Sequence, residues 1–372
     1  MVSFRGPLLR AIADTGRQVY AFAIDYDAEK AAAVRGFGAE PVLYCLDRTG
    51  THPARDLETV QELSRAFNRL RIDTVLTYFV KPVVLGSAAA VLAQVPHRFA
   101  KLPGLGALFT NAGTERSSVS SVTRWLGHSG IKLALKSNQR VFLYNREDEE
   151  ELTRKRLVDP SKVHHLNGTG VDLTEYGFAP PVTSPVTFLM MARLLADKGV
   201  HEFAAAAQLV KNRWPDARFL LLGGIDTNPS AISEEEVRSW VEKGIIEWPG
   251  SVPDVRPWLE KASVFVLPSY REGVPRSTQE ALALGRPVIT TDAIGCRKTV
   301  EPGRNGFLVP VQDAESLAKR MMEFLRKPDL IARMGLASRR LAEERFDIHE
   351  INTEILKVMG LADGIPDRTR FS

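Results

Sequence analysis

Short aliphatic and β-branched runs alternate with helix-period segments along most of the chain, a pattern that predicts parallel α/β layers. In the first half the strand-like runs are 18–24, 41–44, 74–78, 97–101, 141–144 and 162–166. Helical patterns lie between them, as at 55–70 and 83–93. A second set of strand-like runs follows at 186–191, 218–222, 245–248, 264–267, 287–291 and 306–309, and the pattern from Ala314 onward is purely helical. Between the two sets, Phe178 to Pro185 holds Pro180, Pro181 and Pro185. Prolines at that density stop helices and strands and favour extended linkers. The expected division is therefore a first Rossmann-like domain over 1–180, a second over 181–345, and a crossing-back helix with a frayed tail over 346–372.

A chain of 372 residues exceeds the usual size of one core, which agrees with two domains. Apolar content of 44% and charged content of 25% are ordinary for a globular protein. Net charge of +4 argues only weakly for an anionic partner. Cys45 and Cys296 are too few for a disulfide framework and fit a reducing cytoplasm. No apolar run reaches the roughly 20 residues that span a bilayer, so any membrane contact is expected to be peripheral, at the inner face. No nucleic-acid-binding motif is present.

Candidate chemistry concentrates at strand ends of the second half. Glu272 and Glu280 frame a Gly/Pro turn, Gly273-Val274-Pro275, between the strand 264–267 and a helix. Ligands of open α/β sheets sit at such carboxyl edges, and a helix start suits a phosphate or hydroxyl-rich ligand. Two carboxylates that accept from hydroxyls point to a sugar nucleotide. Arg193 and Lys198 follow the strand 186–191 beside another helix start and form a candidate diphosphate clamp. Gly223-Gly224 permits close backbone approach, and the backbone near Val252 is placed to meet a nucleobase. Asp254 reads equally well as a helix N-cap. Asp25-Tyr26-Asp27 mimics a metal-binding Asp-x-Asp, but an Asp after an early strand is far more often a cap, so no metal site is assigned. His164 and His165 read as core or edge residues. No general base is assigned.

In order along the chain, Arg193/Lys198, Gly250-Ser251-Val252-Pro253-Asp254-Val255, Pro268–Arg276, the Glu-x7-Glu spacing, Thr291–Arg297 and Gly306–Pro310 make a specific series. The chain resembles the retaining glycosyltransferases of family 4. Lys81-Pro82, Gly104-Leu105-Gly106 and 167–172 add a likeness to the branch that builds capsule, O-antigen and other lipid-linked glycans. The resemblance implies a GT-B fold, with two Rossmann-like domains facing a cleft. It implies Arg193 and Lys198 on the nucleotide diphosphate, Glu280 on the ribose, and Glu272 as the catalytic residue on the transferred sugar. Backbone of Gly273, Val274 and Pro275 would lie near that sugar. It further implies a UDP-sugar donor, no cofactor and no metal.

Two expectations concern the first domain. Similar chains begin with a strand ahead of a segment like Ser3–Leu8, whereas this chain starts inside that loop. Four or five lost apolar residues at roughly 1.5–3 kcal/mol each rival a domain's net stability, so an upstream start or a weakened acceptor domain is expected. From 97 to 146, eight Arg and Lys (98, 101, 116, 124, 132, 136, 140 and 146) face one acid, Glu115, with Trp125, Leu126, Ile131, Leu133 and Leu135 interleaved. That mixture fits an anionic leaflet or a lipid diphosphate as well as it fits a solvated helix. The expected activity is transfer of a hexose or N-acetylhexosamine from a UDP-sugar to a polyprenyl-diphosphate-linked glycan. The alternatives are a sugar-nucleotide epimerase of the same fold, or an inactive glycosyltransferase that acts as a binding partner.

Overall fold

The computed structural model describes residues 2–47, 52–105, 121–228 and 230–362. In chain order its elements begin α1 (Val2–Ala13), β1 (Val19–Ala23), α2 (Ala28–Gly36), β2 (Ala39–Leu43), α3 (Pro53–Arg69), β3 (Thr74–Tyr78) and α4 (Val80–Leu92). Next come β4 (His97–Leu102), α5 (Ser121–Ser137), β5 (Arg140–Leu143), α6 (Arg146–Arg154) and β6 (Val163–His165). The second set is β7 (Thr187–Met191), α7 (Val200–Lys211), β8 (Arg218–Leu222), α8 (Glu234–Glu242), β9 (Glu247–Gly250), α9 (Arg256–Lys261) and β10 (Val264–Leu267). It closes with α10 (Arg276–Ala283), β11 (Val288–Thr291), β12 (Gly306–Val309), α11 (Ala314–Arg326), α12 (Asp329–Arg345) and α13 (Ile348–Val358). The chain forms two compact units: residues up to Leu166 together with those from His349 on, and Asn167–Ile348.

In the first unit, α3 presents Leu63, Ala66 and Phe67 on one buried stripe, the helical spacing that anchors it to strands. Asp27 caps α2 by accepting from Lys30 N at 2.8 Å, and Asn145 caps α6 in the same way from Asp148 N at 2.7 Å. Asp27 thus does a cap's work in the Asp-x-Asp segment. A single doubly wound sheet is expected here, but the strands form two parallel sheets, β1–β2 and β3–β4–β5–β6. Both rest on one helical layer: Phe22 of β1 and Val75 of β3 pack on Leu63, Phe67, Ala89 and Ala90. The Phe22 and Phe67 rings meet edge-on at 5.4 Å. His164 and His165 sit at the edge strand, 2.7 Å from Glu354 and from Glu149 respectively. The Glu354 contact holds α13 to this unit. Residues 106–120 of the basic stretch, and the tail beyond Ala362, lie outside the described residues.

The second unit is one parallel sheet in the order β12-β11-β10-β7-β8-β9. Its central strands β7 and β10 are buried at every position, so they read as unbroken apolar runs. Phe188 and Phe219 stack at 5.2 Å between neighbouring strands.

The division falls at residue 167 and not at 181, because the segment ahead of the prolines is bound to the second unit. Gly170 N donates to Gln279 Oε1 at 3.0 Å, and Arg339 Nη1 donates to Tyr176 O and Ala283 O, each at 2.8 Å. Buried Arg286 donates to Ala262 O at 2.8 Å, to Leu284 O at 3.1 Å and to Ala179 O. Proline-rich backbone keeps its carbonyls, and here they and their neighbours are docked, so this stretch is a strap and not a linker.

Candidate active site

Strand order in the second unit reverses between β7 and β10, the first two strands on either side of the centre. At such a switch point the loops after the two strands part, leaving a crevice at the carboxyl edge. The loop after β7 carries Arg193 and Lys198, and the loop after β10 carries Glu272 to Pro275.

These loops are tied together by backbone. Tyr270 N and Ser269 Oγ both donate to Asp197 O, at 2.9 and 3.1 Å. Glu272 N donates to Ile294 O at 3.0 Å in the loop after β11. Two glycines allow this closeness. Gly199 has φ of 76°, and a Cβ there would stand 2.2 Å from Pro268 O. Gly295 has φ of 77°, and its Cβ would stand 2.2 Å from the carbonyl oxygens of Glu272 and Gly273.

Lys198 Nζ lies 2.6 Å from Glu272 Oε1, and Ser269 Oγ donates to the same oxygen at 3.0 Å. The Lys198 and Glu272 side chains are only 15% and 19% exposed, so this is a largely dry ion pair. Eight residues on, Glu280 is buried in α10 and accepts through Oε1 from Arg276 Nε at 2.8 Å and Tyr176 Oη at 3.3 Å. Burial raises the Glu280 pKa, with Arg276 opposing that rise. The Tyr176 hydroxyl is pushed up to about 12 by burial and by Glu280. Both carboxylates are fixed through Oε1 and keep Oε2 without a partner among the described residues. That leaves each able to accept from a ligand hydroxyl.

Arg193 stands apart from this cluster, exposed, with Nη1 3.3 Å from Asp226 Oδ2. Val252 is half-buried just after β9, where Gly223 N donates to Gly250 O at 3.0 Å and Trp248 Nε1 to Gly223 O at 2.8 Å. Val274 is buried, and Pro275 precedes α10 with no side-chain cap, so side chains leave the first-turn amides of that helix open. Asp254 accepts from Arg256 N at 3.0 Å, a helix-start role.

Sequence reasoning singled out Lys198, Glu272 and Glu280 but not the residues that aim them. Arg276 was legible as an i,i+4 partner of Glu280. Tyr176 was not, since it reaches Glu280 from 104 positions away, and Ser269, three positions before Glu272, reads only as part of the strand end.

A six-stranded parallel sheet with Lys198, Glu272 and Glu280 gathered at its switch point defines the class as an α/β protein with a ligand site at its carboxyl edge. Residues 185–327, which span β7 to β12, match the family model described as glycosyl transferases group 1. Residues 185–327 are therefore a glycosyl transferases group 1 domain. The chain is 29% identical over 349 residues to the N,N'-diacetylbacillosaminyl-diphospho-undecaprenol alpha-1,3-N-acetylgalactosaminyltransferase of Campylobacter jejuni, covering 90% of this chain and 88% of the relative. It is 28% identical over 285 residues to the UDP-Gal:alpha-D-GlcNAc-diphosphoundecaprenol alpha-1,3-galactosyltransferase of Escherichia coli, covering 72% and 70%. Its fold is also that of the sucrose-phosphate synthase of Thermosynechococcus elongatus, with a TM-score of 0.76 at 21% identity over 95% of this chain and 90% of that one.

Proposed function

We propose that this chain moves a hexose or N-acetylhexosamine from a UDP-sugar to a polyprenyl-diphosphate-linked glycan, with retention at the anomeric carbon. The observation that carries the reading is the Lys198–Glu272 pair at the switch point of the second sheet. In this reading Lys198 and Arg193 face the diphosphate, Glu280 takes the ribose hydroxyls through its open oxygen, and Glu272 takes hydroxyls of the transferred sugar. When the bond from the anomeric carbon to the diphosphate breaks, its electron pair leaves on the diphosphate. Lys198, Arg193 and the open amides of α10 offset that charge, which is the work a metal ion does elsewhere.

The acceptor class rests on the two relatives, whose names both specify undecaprenol diphosphate acceptors. A peripheral seat at the inner membrane face goes with such an acceptor. Among the described residues no helix is long and apolar enough to cross a membrane. The test supplies labelled UDP-sugars and an undecaprenyl-diphosphate-linked glycan, with the labelled lipid product identified by mass. Transfer that survives both Glu272→Ala and Lys198→Ala at the parental rate would overturn the site.

A further inference from the structure

The first unit gathers positive charge where its own acids do not follow. Lys101 sits at the carboxyl end of β4 and is 1% exposed. Its Nζ lies 5.3 Å from the Tyr78 ring at the end of β3 and 5.4 Å from the Tyr144 ring just past β5. Arg5 of α1 stacks on the same Tyr78 ring at 3.7 Å, and lies 4.9 Å from the Phe79 ring. Among the described residues neither side chain makes a hydrogen bond or an ion pair, and Arg5 adds to burial in lowering the Lys101 pKa. Two neighbouring, desolvated like charges destabilise a fold unless something compensates them.

A helix start opens onto the same edge, its first turn carrying Lys81 in an ion pair with Asp56 at 2.9 Å. Phe79, held at φ of 69°, precedes α4 with no side-chain cap, so that helix start adds its positive end to the same edge. Strands β3, β4 and β5 therefore bring Tyr78 with an open helix start, a buried ammonium and Tyr144 to one carboxyl edge, and α1 lays the Arg5 guanidinium over it, at the edge where α/β sheets bind ligands.

We infer that Arg5 and Lys101, walled by Tyr78 and Tyr144, form a phosphoryl-anion site in the first unit that takes the diphosphate of the acceptor. The assignment rests on the diphosphate-linked acceptor proposed above. Burial, with Arg5 second, lowers the Lys101 pKa from 10.5 to about 7. An entering anion restores its charge, so binding takes up a proton near neutrality.

The experiment titrates the full chain, held at saturating UDP so that the donor site is occupied, with inorganic pyrophosphate and separately with farnesyl diphosphate. The expected result is binding of both, weakened about tenfold or more in Lys101→Met and in Arg5→Gln, with UDP affinity unchanged and Lys101→Arg close to the parent. Tighter binding of farnesyl diphosphate than of pyrophosphate identifies a lipid headgroup as the source; equal binding identifies a free phosphate. In the unaltered chain, the lysine ammonium resonance that titrates near neutrality moves to higher pH when pyrophosphate is added, a readout that needs no variant to fold. Pyrophosphate affinity unchanged in both variants, or no movement of that resonance, overturns the inference. Failure of UDP itself to bind overturns instead the donor reading on which it stands.

Discussion

Replacing Arg276 with leucine tests the buried charge balance around Glu280. The pair is 16% and 11% exposed, so it lies outside the range of surface pairs worth about 0–1 kcal/mol. Removing one partner of a buried pair costs about 3–5 kcal/mol, because the other charge is left uncompensated. In a unit of this size that loss lowers the melting midpoint by about 10 °C. The pH dependence carries the sharper signature. Glu280 already titrates above its ordinary 4.5 because of burial, and Arg276 is the main group holding it down. Without Arg276 its folded pKa rises further. Above 4.5 the folded state then binds more protons than the unfolded chain, so stability falls as pH climbs through that window. The deficit of Arg276→Leu is thus larger at about pH 8 than at about pH 5. The double variant Arg276→Leu/Glu280→Leu recovers most of the stability, since an apolar pair of similar volume replaces the ions. Thermal melts of the parent, both single variants and the double variant across that pH range give the cycle. A single-variant loss below about 1 kcal/mol, or one identical at both pH values, would refute the reasoning.

Three further outcomes follow from separate features. Lys101 holds fewer protons folded than unfolded between about 7 and 10.5, so the chain gains stability as pH rises through that window and loses it as pH falls toward 7. The displacement corresponds to about 5 kcal/mol at about 1.4 kcal/mol per pH unit, and Lys101→Met flattens that part of the melting profile. Groups facing Lys101 that could blur it are Arg5, Tyr78 and Tyr144, and a profile unchanged by the substitution would count against the buried ammonium. Burial pushes the Cys296 thiol up to about 12, with Glu272 adding to the shift, while Cys45 is exposed. A thiol reagent at neutral pH is therefore expected to label Cys45 alone until the second unit unfolds, which peptide mapping of the labelled chain checks. Gly295→Ala drives a Cβ against two carbonyls of the Glu272 loop. Transfer should fall about 100-fold through misplacement of that loop, while circular dichroism shows the fold intact; an unaltered rate would mean the loop does not need its present position.

Strand positions were legible because β-runs of four to six apolar residues announce themselves locally, and β3, β8, β10 and β12 fall where the pattern puts them. Two larger features were not. Proline content marks extended backbone but carries no record of what that backbone touches, so the stretch from Phe178 to Pro185 reads as a linker although Arg286 holds its Ala179 carbonyl. The splitting of the first unit's strands into two sheets is a matter of pairing between residues far apart in sequence, which periodicity does not encode. At the site, the charged residues were visible as types at strand ends. Their aim was not, because Tyr176 reaches Glu280 from 104 positions away. In the sequence Lys101 is one member of a basic stretch and Arg5 one residue of the Ser3–Leu8 segment, and only burial sets them apart.

The carbonyl of Asp197, which accepts from both Tyr270 N and Ser269 Oγ, has a thermodynamic consequence for the donor side. Ordering of the loops after β7 and β10 is completed as the chain folds, so on the proposed donor reading an arriving nucleotide would meet little remaining conformational entropy to remove. The amides of Tyr270 and Glu272 should already exchange slowly with solvent deuterium before any ligand is added, and UDP should slow them little further. Binding would then register as a local event at the sheet edge, with selectivity decided by hydroxyl geometry and not by loop closure.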